Sequence, residues 1–73
     1  MTERNILNIL RAGTTIYLDA NKYKFDKMNI FCSMARANGA HVHITNSYIY
    51  NEFDLVRLSL SYRDTIILEN LEK

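Results

Sequence analysis

The residues best suited to chemistry in this chain are His41 and His43, two apart in the run Ala40-His41-Val42-His43-Ile44-Thr45. Residues i and i+2 of an extended strand point the same way, so this spacing sets both imidazoles on one face. Imidazole and carboxylate donors together suit a divalent transition metal. Asp19 and Glu69, at the ends of two similar runs, are the carboxylates that neighbouring strands would bring closest, each a row away from the histidines. Two histidines are an incomplete ligand set, so His41 and His43 read first as solvent-facing or interface residues. They are the only metal candidates, and no metal or cofactor is assigned. Crowded at an interface, they would make association depend on pH.

Cys32 is the other reactive side chain. A nucleophilic cysteine needs a neighbouring base and some exposure. Cys32 instead shares a helical stripe with Met28, Phe31 and Ala35, at i, i+3, i+4 and i+7. That places it in the core, across the sheet from the histidines, as a structural residue. The sequence contains no glycine-rich phosphate loop and no serine–histidine–aspartate arrangement. No catalytic residue is assigned, and the chain reads as a non-enzyme.

Positioning these residues falls to three alternating runs, Thr15–Asp19, Ala40–Thr45 and Thr65–Glu69. Alternation at period two marks a half-buried strand. A first helix is expected between an N-cap at Thr2 and Gly13, with Ile6, Leu7 and Leu10 at helical spacing. A second runs from an N-cap at Asp26 to Gly39, with Ile30 and Met34 widening its buried face. A third follows Asn51, its stripe being Leu55, Leu58, Ser59 and Tyr62, with Val56 and Leu60 in the same widening role. Strand, capped helix and strand recur at a period of about 25 residues, which is the signature of stacked repeats.

Residues 1–73 then form one domain: a capping helix at 1–13, two βα units at 14–39 and 40–64, a last strand at 65–69 and a tail at 70–73. Apolar residues make up 48% of the chain, enough for a packed core. Nine basic residues against eight acidic ones leave a formal charge of +1 with no like-charged block, which disfavours a phosphate-reading nucleic-acid binder. One cysteine makes no internal disulfide, and neither a signal peptide nor a membrane span is apparent, so a cytoplasmic protein is the expectation.

Three parallel strands joined by right-handed crossovers allow two windings. Strands covered by helices on both faces read as continuous apolar runs. These alternate, so the expected fold is α/β: an N-terminal helix, then β-α-β-α-β with a three-stranded parallel sheet in order 1-2-3 and helices on one face, solenoid-like. Ile16, Leu18, Val42, Ile44, Ile66 and Leu68 would face the helices. The open face would carry Thr15, Tyr17 and Asp19, then His41, His43 and Thr45, then Thr65, Ile67 and Glu69. Tyr17, His43 and Ile67 make its central row.

Ile16-x-Leu18-x-x-Asn21 and Val42-x-Ile44-x-x-Ser47 resemble the strand segment of leucine-rich repeats, with an asparagine-type position after the second apolar residue. Over residues 15–69 the unit also resembles short uncharacterised bacterial βα repeats. Serine at 47, leucine at 71 and the missing leucine before each strand depart from that pattern. The resemblance implies a protein-interaction role on the open face, with no catalysis. Together with three aromatic-bearing loop positions, Tyr23, Tyr48 and Tyr50, the expectation is a small self-associating interaction module. Its partner-binding residues would be Tyr17, His41, His43, Ile67, Tyr48 and Tyr50, its partner another protein, and the last strand a site of pairing between copies. A small metal- or ligand-binding protein built on His41 and His43 is one alternative, and a mobile-element inhibitor or immunity protein another.

Overall fold

A computed structural model describes residues 2–73. Helix α1 (Glu3–Arg11) leads into strand β1 (Ile16–Asp19), helix α2 (Phe25–Asn38) and strand β2 (Val42–Thr45). A single 3₁₀ turn (Ser47–Ile49), helix α3 (Glu52–Ser61) and strand β3 (Ile66–Leu68) complete the chain. The strands form one open parallel sheet in the order β1-β2-β3. Ile16 pairs with Val42 and Val42 with Ile66; Tyr17 pairs with His43 and His43 with Ile67. The α/β class, the parallel pairing and the strand order are those the alternating runs predict.

The strands are shorter than their runs. Gly39 closes α2 in the left-handed conformation, at φ 72°. The next N–H, that of Ala40, is spent on the Ala35 carbonyl at 2.9 Å. Ala40 therefore belongs to the helix stop and is buried there, and regular pairing begins at Val42. The helix starts are set in the same local way. The Thr2 hydroxyl accepts the Asn5 N–H at 3.2 Å and Asn51 Oδ1 accepts the Asp54 N–H at 2.8 Å, capping α1 and α3 as their sequences predict.

Helix α2 departs from expectation. Its N-cap is Lys24, whose side chain caps nothing, and Asp26 lies inside the first turn. Phe25 draws the helix start back by two residues, from the expected cap at Asp26 to Lys24, because its ring is held edge-on to Tyr50 at 6.4 Å and under the Arg57 guanidinium at 5.1 Å. Asp26 still favours the helix start, through its charge near the positive end of the dipole.

One core joins all these elements. Phe31, Met28, Cys32 and Ala35 of α2 meet Leu58 of α3, Tyr62 just beyond it, and Leu18, Val42, Ile44 and Ile66 of the sheet. Ile6 and Leu10 are fully buried as α1 packs beside α2. Ile30, Val56 and Leu60 are 49%, 48% and 65% exposed, so they do not widen the buried faces. A three-strand sheet is narrow, and each helix spends only the sector around Phe31 or Leu58 on it. Thr65, placed on the open face by alternation, is buried. It lies in the turn before β3, where its N–H donates to Tyr62 and its carbonyl accepts from Val42.

Candidate functional site

Alternation puts Tyr17, His43 and Ile67 side by side across the three strands, and their side chains form a structured row. The Tyr17 ring stacks on the His43 imidazole, with centroids 4.2 Å apart and planes 21° from parallel. His43 Nδ1 lies 2.7 Å from Glu69 Oε2. With Glu69 ionised, Nδ1 carries the proton it donates, and Nε2 is the ring nitrogen left to meet another molecule. Glu69 keeps its place one row on from His43 in the register, and past the end of β3 its side chain reaches diagonally back to the imidazole. Tyr17 is 62% exposed and Ile67 46% exposed, so an apolar and aromatic surface flanks a histidine fixed on two sides.

The two histidines differ in setting. His41 precedes β2 and is exposed, whereas His43 is half-buried between Tyr17 and Glu69. Asp19 is committed elsewhere. Among the described residues no group of three or more histidine, cysteine, aspartate or glutamate side chains is placed to hold a metal ion.

Asp19 belongs to a polar ladder along the carboxyl ends of the strands. Its Oδ1 accepts from the Asn21 N–H and from Asn46 Nδ2, both at 2.9 Å. The Asn46 N–H donates to Asn70 Oδ1 at 3.3 Å. Asn46 and Asn70 both adopt the left-handed conformation, at φ 54° and 56°, which asparagine tolerates better than most side chains. Next to them the fully buried Ser47 donates its hydroxyl to the Ile44 carbonyl at 2.7 Å and its N–H to Glu69. The sequence reading set the recurring polar position at Asn21 and Ser47. The equivalent residues across β2 and β3 are Asn46 and Asn70, and the available signal was an asparagine following each of these two apolar runs.

Hydrogen bonds from Asn46 and then Asn21 hold the Asp19 carboxyl below its usual value of 3.8. A carboxyl whose folded pKa is depressed adds stability above its unfolded pKa, and that stability is lost as pH falls through the folded value. Wild type should therefore lose stability below about pH 4 more steeply than Asp19→Asn, measured by urea denaturation at a series of pH values. Equal acid slopes would show that Asp19 is not held in this ladder.

The loops at the same end bound a cleft of about 460 Å³ lined by Asn21, Lys22, Tyr23, Phe25, Ile49 and Tyr50, among others. Open α/β sheets bind ligands at a reversal of strand order, and the order β1-β2-β3 has none. Tyr50 is a core residue: it is buried, its hydroxyl donates to the Tyr23 carbonyl, and burial pushes its pKa up to about 12. Tyr23 is turned edge-on to Phe31 at 5.2 Å. Tyr48 is half-buried, and Ile49 is the exposed residue between the two tyrosines. Cys32 is fully buried and burial pushes its thiol up to about 12, which keeps it protonated and unreactive at neutral pH.

Fold and site together define a small α/β unit with an open parallel sheet, a structured aromatic row on that sheet and a polar ladder at one end of it. No family model matches the chain, and no curated protein or solved structure matches it significantly. None of the described helices is long and apolar enough to cross a membrane.

Proposed function

We propose that the chain is a small protein-interaction module that receives a protein partner on the uncovered face of its sheet. The observation that carries this reading is the row Tyr17, His43 and Ile67. Exposed apolar side chains are unremarkable singly. Here two of them flank an imidazole held by a ring on one side and a carboxylate on the other. A surface fixed before binding loses little side-chain entropy on association, and aromatic residues in such settings are frequent anchors.

On this reading the helices share one face of the sheet, the two βα units stack in the manner of a short solenoid, and the other face stays free for the partner. That arrangement agrees with the alternating burial of β2, where Val42 and Ile44 are buried while His43 and Thr45 are not. The outer edges of β1 and β3 offer unpaired backbone groups, which in a free sheet invite pairing with a second chain. Tyr48 and His41 lie at opposite ends of the central strand and extend the surface; Tyr50, being buried, does not. Self-association and a cytoplasmic setting belong to the same reading. Among the described residues no group of three metal-ligating side chains supports the metal-binding alternative.

Affinity capture from the native host, run in parallel with wild type and a Tyr17→Ala, Ile67→Ser double variant, tests the proposal. Both side chains are exposed, so the variant should fold. A protein retained by wild type and lost with the variant is the expected outcome. Identical captured sets would overturn the assignment of the sheet face.

A further inference from the structure

Helix α3 has two apolar faces. Leu58, supported by Leu55 and by Tyr62 just past the helix, is spent on the core. Phe53, Val56 and Leu60, at i, i+3 and i+7, form a second row on the opposite side of the helix and are 61%, 48% and 65% exposed. A helix apolar on both sides is expected to be covered on both. Arg57 lies beside this row with its guanidinium 5.7 Å from the Phe53 ring and 5.1 Å from the Phe25 ring, so Phe53 is held from one side.

The charges at the two ends of the row bear on what would fit it. Glu52 opens the helix and Arg63 follows its last turn. Among the described residues the ion pairs are Lys27–Glu3 and His43–Glu69, and neither Glu52 nor Arg63 is paired with any of these residues. Two copies of α3 laid antiparallel would set Phe53 of each near Leu60 of the other. The same two-fold would bring Glu52 of each copy toward Arg63 of the other, twice, with the helix dipoles opposed. A parallel pairing would set Glu52 against Glu52 and Arg63 against Arg63. We infer that the outer row of α3 is a homotypic interface on which a second copy of this chain docks antiparallel.

The interface is small. A ten-residue helix is about 15 Å long, so one helix face falls short of the ~800 Å² per partner of a standard complex. The dimer is accordingly a reversible one, formed at high protein concentration. It shares no residue with the row Tyr17, His43 and Ile67, so a dimer joined through α3 keeps two sheet faces for partners.

Sedimentation equilibrium from micromolar to millimolar protein tests the inference, with circular dichroism confirming that each variant is folded. Wild type should follow a monomer–dimer equilibrium, and Leu60→Lys should weaken it about tenfold or more. Glu52→Arg alone and Arg63→Glu alone should each weaken it, because each gives a copy like charges at both ends. An equimolar mixture of those two variants should associate at least as well as wild type, since each then meets its complement. A monomer at millimolar concentration, insensitivity to Leu60→Lys, or no recovery on mixing would overturn the inference. Partner capture through Tyr17 and Ile67 is read independently, so the two proposals fail separately.

Discussion

Phe31→Ala should remove a large share of the protein's stability. Phe31 is fully buried at the centre of α2's inner face, among residues from α2, α3 and the sheet, and Tyr23 packs edge-on against it. Truncation removes the transfer free energy of a phenyl ring and opens a cavity, at a cost of about 3–5 kcal/mol. A domain of this size has roughly 4–11 kcal/mol in total, from ~0.05–0.15 kcal/mol per residue. The loss is therefore a large share of the whole. Urea denaturation should show the midpoint falling by about 3 M or vanishing, given a slope of about 1 kcal/mol/M for a small protein. Phe31→Leu, which keeps most of the volume, should cost only about 1–1.5 kcal/mol. If the two variants were alike, Phe31 would not be the packing centre that its burial describes.

The core was legible because helical and strand periodicities select the same residues that tertiary packing buries. Met28, Phe31, Cys32 and Ala35 recur at i, i+3, i+4 and i+7 and all are fully buried. Period two likewise separates Val42 and Ile44 from His43 and Thr45. Limits of the sheet were not legible. Nothing local says that three strands cover only a narrow helix sector, and so Ile30, Val56 and Leu60 were expected inside and lie outside.

Side-chain reach was the second blind spot. Glu69 sits just beyond β3, and only the backbone path past that strand end lets its carboxylate meet His43 rather than solvent. Asn46 and Asn70 show the same limit from the backbone side. Each was visible as a polar residue after a strand, but their positive φ and their mutual hydrogen bond depend on the register between β2 and β3. Tyr50 was misplaced among the surface tyrosines because a 3₁₀ turn, absent from any periodic signal, rotates it inward.

The two glycines make a second test, because they share a backbone conformation and differ in surroundings. Gly13 has φ 82° and Gly39 φ 72°, both left-handed. A β-carbon on Gly39 would meet nothing within 4 Å, whereas one on Gly13 would lie 3.2 Å from the Asn38 carbonyl oxygen. Gly39→Ala should thus cost about 1 kcal/mol, the backbone penalty of the left-handed region net of a smaller entropy loss on folding. Gly13→Ala carries the same penalty plus the displacement of the end of α2, and about 2 kcal/mol is expected. Gly39→Asn should be milder than Gly39→Ala, because asparagine serves as a left-handed helix stop. Thermal or urea denaturation of the three variants reads all of this directly. The difference between the two alanine variants isolates the close approach of the α1–β1 turn to the end of α2. That approach keeps Ile6 and Leu10 against the rest of the core. Equal costs at Gly13 and Gly39 would mean that the turn can move away from Asn38 freely, and α1 would then be a loosely docked cap rather than part of the fold.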